Sequence, residues 1–317
     1  MLTYFLFALG FVVLIKGADI LVDGAAAIAK KFHISNLVIG LTIVAFGTSA
    51  PELAVNLFSS FQGNSDLALG NILGSNIVNM LLILGIAAIV YPLKVKTNTV
   101  WKEIPFSLLG AVLLLFIAND VFFDGALSSA ITRTDGLALI GFFIIFLYYT
   151  FGSAKNTESL ASDTIESRST PVAIGMVVVG LIGLIFGGQW IVSGAVKIAE
   201  LFGMSQSLIG LTVVAIGTSL PELATTVTAS LKKQSDMAIG GVVGSNIFNI
   251  FWILGLSSII RPLPVHAASN LDLSLGVVAS LLLFVFLFIG KRHVLERWQG
   301  WLFVILYVCY IGFSVIT

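Results

Sequence analysis

The segment Gly40–Ser60, GLTIVAFGTSAPELAVNLFSS, has the length and apolar character of a membrane-spanning helix, yet it carries a proline beside a carboxylate. Nearly the same segment recurs 170 residues later as Gly210–Ser230, GLTVVAIGTSLPELATTVTAS. Each copy has one acid directly after its proline, Glu52 and Glu222. Because prolines and charges are both costly in lipid, their repetition with the same neighbours indicates a function.

The composition indicates an integral membrane protein. Of the 317 residues 58% are hydrophobic and only 10% are charged, whereas soluble domains carry about 25% charged residues. The alternating pattern of a membrane β-barrel is absent, so the class is a helical bundle. The net charge of zero gives no sign of a nucleic-acid partner. The single cysteine, Cys309, excludes an internal disulfide.

Apolar runs separated by short polar joints predict ten transmembrane helices, since each crossing needs about 20 apolar residues. The first run lacks a basic start and a cleavage site, so we interpret it as a retained helix and not a signal peptide. The polar stretch KNTESLASDTIESRST predicts a solvated linker between two halves. The helices are predicted at residues 2–31, 37–61, 66–90, 103–119, 134–152, 170–201, 207–231, 236–260, 270–289 and 297–316.

The two halves align without a gap when residue i is matched with residue i+170. Gly40–Ser60 agrees with Gly210–Ser230 at 13 of 21 positions. Asp66–Gly85 agrees with Asp236–Gly255 at 11 of 20. This duplication predicts a first five-helix repeat at 1–152, a cytoplasmic linker at 153–169 and a second repeat at 170–317.

An odd number of helices per repeat inverts the second copy in the membrane, and the basic residues support that topology. Joints after the odd-numbered helices hold twelve lysines and arginines, whereas the opposite joints hold only Arg133 and Arg261. Because basic joints face the cytoplasm, both termini are expected on the non-cytoplasmic side of a prokaryotic inner membrane. The fold prediction is therefore an all-α polytopic membrane protein of ten transmembrane helices in two inverted repeats, an architecture typical of secondary transporters.

The prolines predict free carbonyl groups in both repeated segments. Pro51 has no N–H and crowds the carbonyl of Gly47, and Pro221 does the same to Gly217. Carbonyls around Ala45–Gly47 and Ala215–Gly217 are thereby expected to leave the helix and to seek another partner, such as a cation.

Hydroxyl and amide side chains surround each acid at helical spacing. Thr48 and Ser49 precede Glu52 by four and three residues, and Thr218 and Ser219 precede Glu222 in the same way. The next helices add the pairs Ser75 with Asn79 and Ser245 with Asn249. These are hard oxygen donors, which suit Ca²⁺ or Na⁺ and not zinc or copper. The two carboxylates match the charge of one Ca²⁺, or of monovalent ions or protons that replace it.

GTSxPE followed by a GSNxxN helix in both halves resembles the α-repeats of the Ca²⁺/cation antiporter superfamily, in its prokaryotic sodium/calcium exchanger branch. The resemblance covers nearly the whole chain. It implies ten helices, Na⁺-driven Ca²⁺ movement and a sliding of the first and sixth helices against the rest. It also implies a set of ion ligands at Ala45, Thr48, Ser49, Glu52, Ser75, Asn79, Ala215, Thr218, Ser219, Glu222, Ser245 and Asn249.

Some positions are open to other interpretations. Some prokaryotic exchangers carry an aspartate where this chain has Asn249, which leaves two central carboxylates in place of three. Asn76 and Asn246 are interpreted as supporting or packing groups and not as ligands. Asp19 and Asp23 are interpreted as interfacial acids, with a place along an ion entry path as the alternative.

The predicted function is a secondary active antiporter, not an enzyme, that exchanges Ca²⁺ for Na⁺ by alternating access. A Ca²⁺/H⁺ or K⁺-dependent antiporter is the nearest alternative, and a passive cation channel is a weaker one. No cofactor is expected beyond the transported Ca²⁺ and Na⁺. The expected partners are membrane lipid and these ions, with no protein partner evident. A membrane protease is disfavoured, because no histidine or paired aspartate accompanies the central glutamates.

Overall fold

The computed structural model describes residues 2–123, 125–153, 168–202 and 215–316. The predicted linker, except for its ends, and the start of the predicted seventh helix lie outside the described residues. The helices are α1 (Leu2–Phe32), α2 (Asn36–Thr48), α3 (Ala50–Gln62), α4 (Ser65–Val90), α5 (Thr97–Ile117), α6 (Arg133–Ser153), α7 (Thr170–Leu201), α8 (Ala215–Thr218), α9 (Leu220–Leu231), α10 (Ser235–Ile260), α11 (Asn270–Phe286) and α12 (Arg297–Ile316).

These helices make the protein a mostly helical, polytopic membrane protein. Within the part of the chain that the structure describes, seven helices are long and apolar enough to cross a membrane. The pair α2 and α3, bent by 48° at the break between them, makes an eighth if it is counted as one span. The predicted fourth helix begins earlier than expected, at Thr97, and ends at Ile117.

The two longest helices, α1 and α7, lie against each other with glycines at their interface. A Cβ atom at Gly17 would lie 2.9 Å from the backbone nitrogen of Leu184, and one at Gly187 would lie 2.7 Å from that of Leu14. Their backbones are therefore in direct contact, as small residues allow between membrane helices. This contact makes α1 and α7 a closely packed pair.

Among the described residues, four short strands connect the two halves, and the prediction of an all-helical protein did not include them. The strands are β1 (Leu93–Lys94), β2 (Ser129–Ile131), β3 (Leu263–Val265) and β4 (Val294–Leu295). β1 pairs antiparallel with β4, and β2 pairs antiparallel with β3. Each pair joins one joint from each half, and in both cases the two joints were predicted to lie on the same membrane face.

An ion pair and an imidazole–carboxylate contact between the halves follow the 170-residue register. Lys96 Nζ lies 2.6 Å from Asp236 Oδ2, and His266 Nε2 lies 3.4 Å from Asp66 Oδ1. Lys96 corresponds to His266 in this register, and Asp66 corresponds to Asp236. The duplication in the sequence is thus reproduced in the tertiary contacts.

Both α4 and α10 contain a wider, π-helical stretch near their middle. The stretches cover Val78–Ile83 and Phe248–Leu254, which also differ by 170 at their starts. The backbone N–H of Leu84, the residue directly after the first stretch, donates a hydrogen bond to the carbonyl of Asn79, five residues back. Such wide turns are rare and are frequent at functional sites. Here each begins one residue before a predicted ligand, Asn79 or Asn249.

Candidate cation site

In each repeated segment the helix is interrupted at the serine that lies two residues before the proline. Ser49 has φ −81° and ψ 8°, and Ser219 has φ −87° and ψ 7°, outside the helical range in both cases. A new helix starts at the next residue, Ala50 or Leu220, and the proline, which has no N–H to donate, lies in its first turn. Its first turn carries Glu52 in α3 and Glu222 in α9. The break therefore places a serine hydroxyl beside the start of each acid-bearing helix.

The two breaks meet in the protein interior through a reciprocal exchange of hydrogen bonds. Ser49 Oγ donates to Glu222 Oε1 at 3.0 Å, and Ser219 Oγ donates to Glu52 Oε1 at 3.5 Å. Ser75 Oγ donates to the same Glu52 oxygen at 3.4 Å. Both acids are almost completely buried, with 1% and 2% of their surface exposed. Two segments 170 residues apart thus build one site.

Four asparagines form a second reciprocal set in the helices behind the acids. Asn79 Nδ2 donates to Asn246 Oδ1 at 2.9 Å, and Asn249 Nδ2 donates to Asn76 Oδ1 at 3.0 Å. Asn246 Nδ2 also donates to the Asn76 carbonyl at 3.3 Å. Asn76 and Asn246 therefore hold the amide nitrogens of the two predicted ligands, consistent with the supporting role predicted for them.

These bonds leave a set of buried oxygen atoms without a hydrogen-bond partner. They are one carboxylate oxygen of each acid and the side-chain oxygen of each predicted ligand amide: Glu52 Oε2, Glu222 Oε2, Asn79 Oδ1 and Asn249 Oδ1. All four accept hydrogen bonds when the acids are ionised, so they cannot satisfy one another. Buried polar atoms normally have a hydrogen-bond partner or another ligand. A hard cation such as Ca²⁺ can serve as that partner for several oxygen atoms at once.

The remaining predicted ligands fall into three groups. The hydroxyls of Thr48 and Ser245 lie near the Glu222 carboxylate, although Ser245 Oγ has no hydrogen-bond partner. Thr218 lies in α8, immediately before the break at Ser219. For Ala215, the first residue of α8, the structure describes the backbone but not the surroundings.

The expectation of a released carbonyl at Ala45 is wrong in this structure. The Ala45 carbonyl accepts hydrogen bonds from the backbone N–H of Ser49 at 3.0 Å and from Thr48 Oγ1 at 3.3 Å. The reason is the position of the proline, because Pro51 removes the donor four residues after Gly47 and not the one after Ala45. Whether Ala45 coordinates an ion stays a prediction.

Sequence reasoning missed two features of this site. It placed Ser49 and Ser219 beside the acid of their own segment, whereas each donates to the acid of the other segment. It also gave no sign of the π-helical stretches at Asn79 and Asn249. The crossed serine bonds depend on how the halves pack, which no local pattern encodes.

Among the described residues no cluster of three or more histidine, cysteine, aspartate or glutamate side chains could hold a metal. The site is instead two carboxylates among neutral oxygen donors. That donor set fits Ca²⁺ or Na⁺ and gives no soft ligand for zinc or copper.

Comparison with known proteins gives consistent matches over the whole chain. The family model described as "Sodium/calcium exchanger protein" matches residues 2–152 and 172–316. The putative antiporter CaxA of Alkalimonas amylolytica is 40% identical over 315 residues, covering 96% of this chain and 95% of the relative. The sodium/calcium exchanger MaX1 of Methanosarcina acetivorans is 33% identical over 347 residues, covering 99% and 97%.

Solved structures agree with these sequence matches. A structure of the sodium-calcium exchanger NCX_Mj soaked with Na⁺ and Ca²⁺ superimposes with a TM-score of 0.85 at 34% sequence identity. The match covers 98% of each chain. The fold and the sequence thus point to the same group of proteins.

Proposed function

The chain belongs to the sodium/calcium exchanger protein family, and on that premise we propose that it exchanges Ca²⁺ for Na⁺ by alternating access to one central site. Members of this family are transporters and not enzymes. Membership and the apolar helices make the chain a cation antiporter of a plasma membrane. The choice of Na⁺ as counter-ion, the ligands and the mechanism are the content of the proposal.

One observation carries the proposal: the crossed bonds from Ser49 to Glu222 and from Ser219 to Glu52. They unite two carboxylates from different repeats in a single buried cluster. Intramembrane acids are expensive and normally mark an ion pathway. A cluster shared equally between two repeats suits a site that is opened first from one face and then from the other.

The charge of the cluster supports the exchange of one kind of cation for another at the same site. Glu52 and Glu222 together carry two negative charges when ionised, and they lie close enough to repel each other. One Ca²⁺ neutralises them, and so do two monovalent cations. The same oxygen atoms can therefore serve both ions in alternation, assisted by the unpartnered oxygens of Asn79 and Asn249.

Coupling follows from the cost of moving bare charge through an apolar barrier. Without a cation, the site would have to close around two ionised carboxylates that nothing neutralises, which is strongly disfavoured in a low-dielectric interior. With Ca²⁺ or Na⁺ bound, the site is neutral and the transition is permitted. The α1–α7 pair is the element proposed to move, since its long helices contact each other through glycine backbone.

The opposing candidate is a Ca²⁺/H⁺ antiporter, and the donor set gives it a specific basis. Amides at both Asn79 and Asn249 leave only two carboxylates, and two protons neutralise these as well as two Na⁺ do. Dependence on K⁺ is a further variant of the same chemistry.

One flux experiment separates these candidates. Purified protein in proteoliposomes is loaded in turn with Na⁺, K⁺ or buffered protons, and ⁴⁵Ca²⁺ uptake is followed with each gradient imposed alone. The proposal expects uptake with the Na⁺ gradient only. Uptake driven by a pH gradient would replace it with the proton mechanism, and uptake without any counter-ion would indicate a channel.

The orientation is a separate part of the proposal. Twelve basic residues lie in joints after odd-numbered members of the ten helices predicted from the sequence, so these joints, including the one that holds Lys94 and Lys96, should face the cytoplasm. In this arrangement the repeats at 1–152 and 170–317 are inverted and the linker at 153–169 is cytoplasmic. A membrane-impermeant thiol reagent tests this with Lys94→Cys in a Cys309→Ser background. Labelling of the Lys94→Cys variant in intact cells would show that this joint faces outward and would contradict the proposed orientation.

A further inference from the structure

A lysine at the end of the helix that carries Glu222 is bound to α1 by two carboxylates. Lys232 Nζ lies 2.6 Å from Asp19 Oδ1 and 2.7 Å from Asp23 Oδ1. It also donates to the Asp19 carbonyl at 3.1 Å. The three side chains are between 26% and 44% exposed, so the cluster is half-buried. Asp19 and Asp23 are therefore ion-paired residues and not free acids along an entry path.

The geometry opposes movement along the axis of α1. Asp19 and Asp23 are four residues apart, which corresponds to a rise of about 6 Å, or one helical turn. Lys232 contacts both at once, so sliding α1 in either direction lengthens at least one of the two contacts. Lys232 follows α9 directly, ten residues after Glu222. The cluster thus fastens the long helix to the helix that supplies half of the ion site.

The register-related positions of the two repeats cannot form the same ionic connection. In the 170-residue register Lys232 corresponds to Gln62, Asp19 to Gln189 and Asp23 to Ser193. None of these three side chains carries a charge. Two identical inverted repeats would give two end states of equal energy, because exchanging the repeats exchanges the states. An ionic contact between the repeats whose register-related positions are uncharged removes that equality.

We propose that Lys232, Asp19 and Asp23 form a latch that holds the α1–α7 pair in the position seen here and sets the balance between the two end states of the exchanger. The inference rests on the proposed alternating access. α1 and α7 move together because their backbones touch at Gly17 and Gly187. Releasing α1 from Lys232 therefore releases the pair.

The test measures the position of α1 directly by a spin-label distance. Cys309 is exposed on α12 and is the only cysteine, so it provides one label in the native chain. Val12→Cys on α1 provides the other, since 57% of Val12 is exposed. Distance distributions are recorded in lipid with Na⁺, with Ca²⁺ and with neither ion, for Lys232→Gln and for the otherwise unchanged chain.

In Lys232→Gln we expect the population that shows the distance of the present structure to decrease relative to the second population by about two- to thirtyfold, because each of the two partly exposed ion pairs contributes about 1.4- to fivefold. Asp19→Asn with Asp23→Asn should reproduce it, and each single change should give less. Lys232→Arg keeps the charge and should match the unchanged chain. Lys233→Gln removes the neighbouring exposed charge outside the latch and is the matched control.

The outcomes separate the latch from the proposed function. If the unchanged chain shows two ion-dependent distances and Lys232→Gln shows the same ratio, the latch is wrong and alternating access stands. If neither protein ever shows a second distance, nothing moves for the latch to hold, and the inference fails. Flux in the same vesicles reports independently on Na⁺/Ca²⁺ exchange, which the loss of the latch should change in rate and not in ion selectivity.

Discussion

Ser49 donates a 3.0 Å hydrogen bond to Glu222, a residue 173 positions later in the chain, and not to Glu52 three residues away. The equivalent Ser219 donates to Glu52 in return. Each acid is therefore positioned by the opposite repeat. A substitution at Ser49 or Ser219 therefore changes the surroundings of the carboxylate in the other repeat, so the two halves of the site depend on each other.

Replacing either acid by its amide should strongly reduce Ca²⁺ transport. Glu52→Gln and Glu222→Gln each remove one of the two charges proposed to balance Ca²⁺. Loss of one member of a buried charged set costs about 2 kcal/mol or more, or about thirtyfold in transport at low Ca²⁺. The measurement is ⁴⁵Ca²⁺ uptake into Na⁺-loaded vesicles.

The matched control for these variants is Glu103→Gln. Glu103 is also buried, with 4% exposed, and receives a hydrogen bond from Tyr149 at 3.3 Å outside the site. Its amide variant should retain Na⁺-driven uptake. Full activity in Glu52→Gln would remove that residue from the ligand set.

The crossed serine bonds predict unequal effects of two alanine substitutions. Ser49→Ala removes the 3.0 Å bond and Ser219→Ala removes the 3.5 Å bond. A hydrogen bond to a charged group contributes about 1.5–3 kcal/mol, so the apparent Ca²⁺ affinity of Ser49→Ala should fall about tenfold or more and that of Ser219→Ala by less. Ser60→Ala, a buried serine without a hydrogen-bond partner, is the control. Equal affinities in all three variants would contradict the prediction.

The asparagine set predicts that a residue outside the ligand list matters for transport. Asn246→Ala leaves the Asn79 Nδ2 group buried without its acceptor, at a cost of about 1–3 kcal/mol. Both the Ca²⁺ affinity and the thermal stability in detergent should fall. Asn119→Ala removes a hydrogen bond that the side-chain amide donates to the Leu115 carbonyl near the end of α5. This variant should lower the thermal stability and leave the Ca²⁺ affinity unchanged. An Asn246→Ala protein with normal Ca²⁺ affinity would reduce this residue to a packing role.

Adding a third carboxylate should change the dependence on Na⁺. Asn249→Asp adds a third carboxylate to the proposed site, so more positive charge must enter before the site is neutral. The Na⁺ concentration dependence of Ca²⁺ efflux should become steeper than in the unchanged chain. Asn79→Asp, at the equivalent position of the other repeat, provides the comparison. An unchanged Hill coefficient in both variants would place these amides outside the shared site.

The contact between α1 and α7 predicts different outcomes for two kinds of glycine. Gly17→Ala and Gly187→Ala push a methyl group against backbone atoms at 2.9 and 2.7 Å, and overpacking of this kind costs about 1–3 kcal/mol. Gly175→Ala in α7 meets no atom within 4 Å. It should leave stability unchanged or raise it slightly, since alanine favours a helix. Thermal unfolding in detergent, followed by circular dichroism, measures all three.

Periodicity and duplication predicted the helical segments to within a few residues wherever the structure describes them, apart from the early start of α5 and the breaks at Ser49 and Ser219, which divide two predicted helices. They could do so because a membrane helix must satisfy its own backbone, which leaves a long apolar run with few alternatives. The four short strands were missed, because two or three residues carry no periodic signal. Their pairing depends on joints that lie far apart in the chain.

For the site, the sequence determined which residue types are present and how they are repeated. The proline, the acid and the hydroxyls recur at fixed spacing, and their chemistry alone predicts an oxygen-lined cation site. Only the tertiary structure decided that Ser49 serves Glu222, that Asn76 and Asn246 hold the ligand amides, and that Lys232 binds α1. The physical reason is that covalent spacing fixes neighbours along one helix, whereas contacts between the halves depend on how separate helices pack.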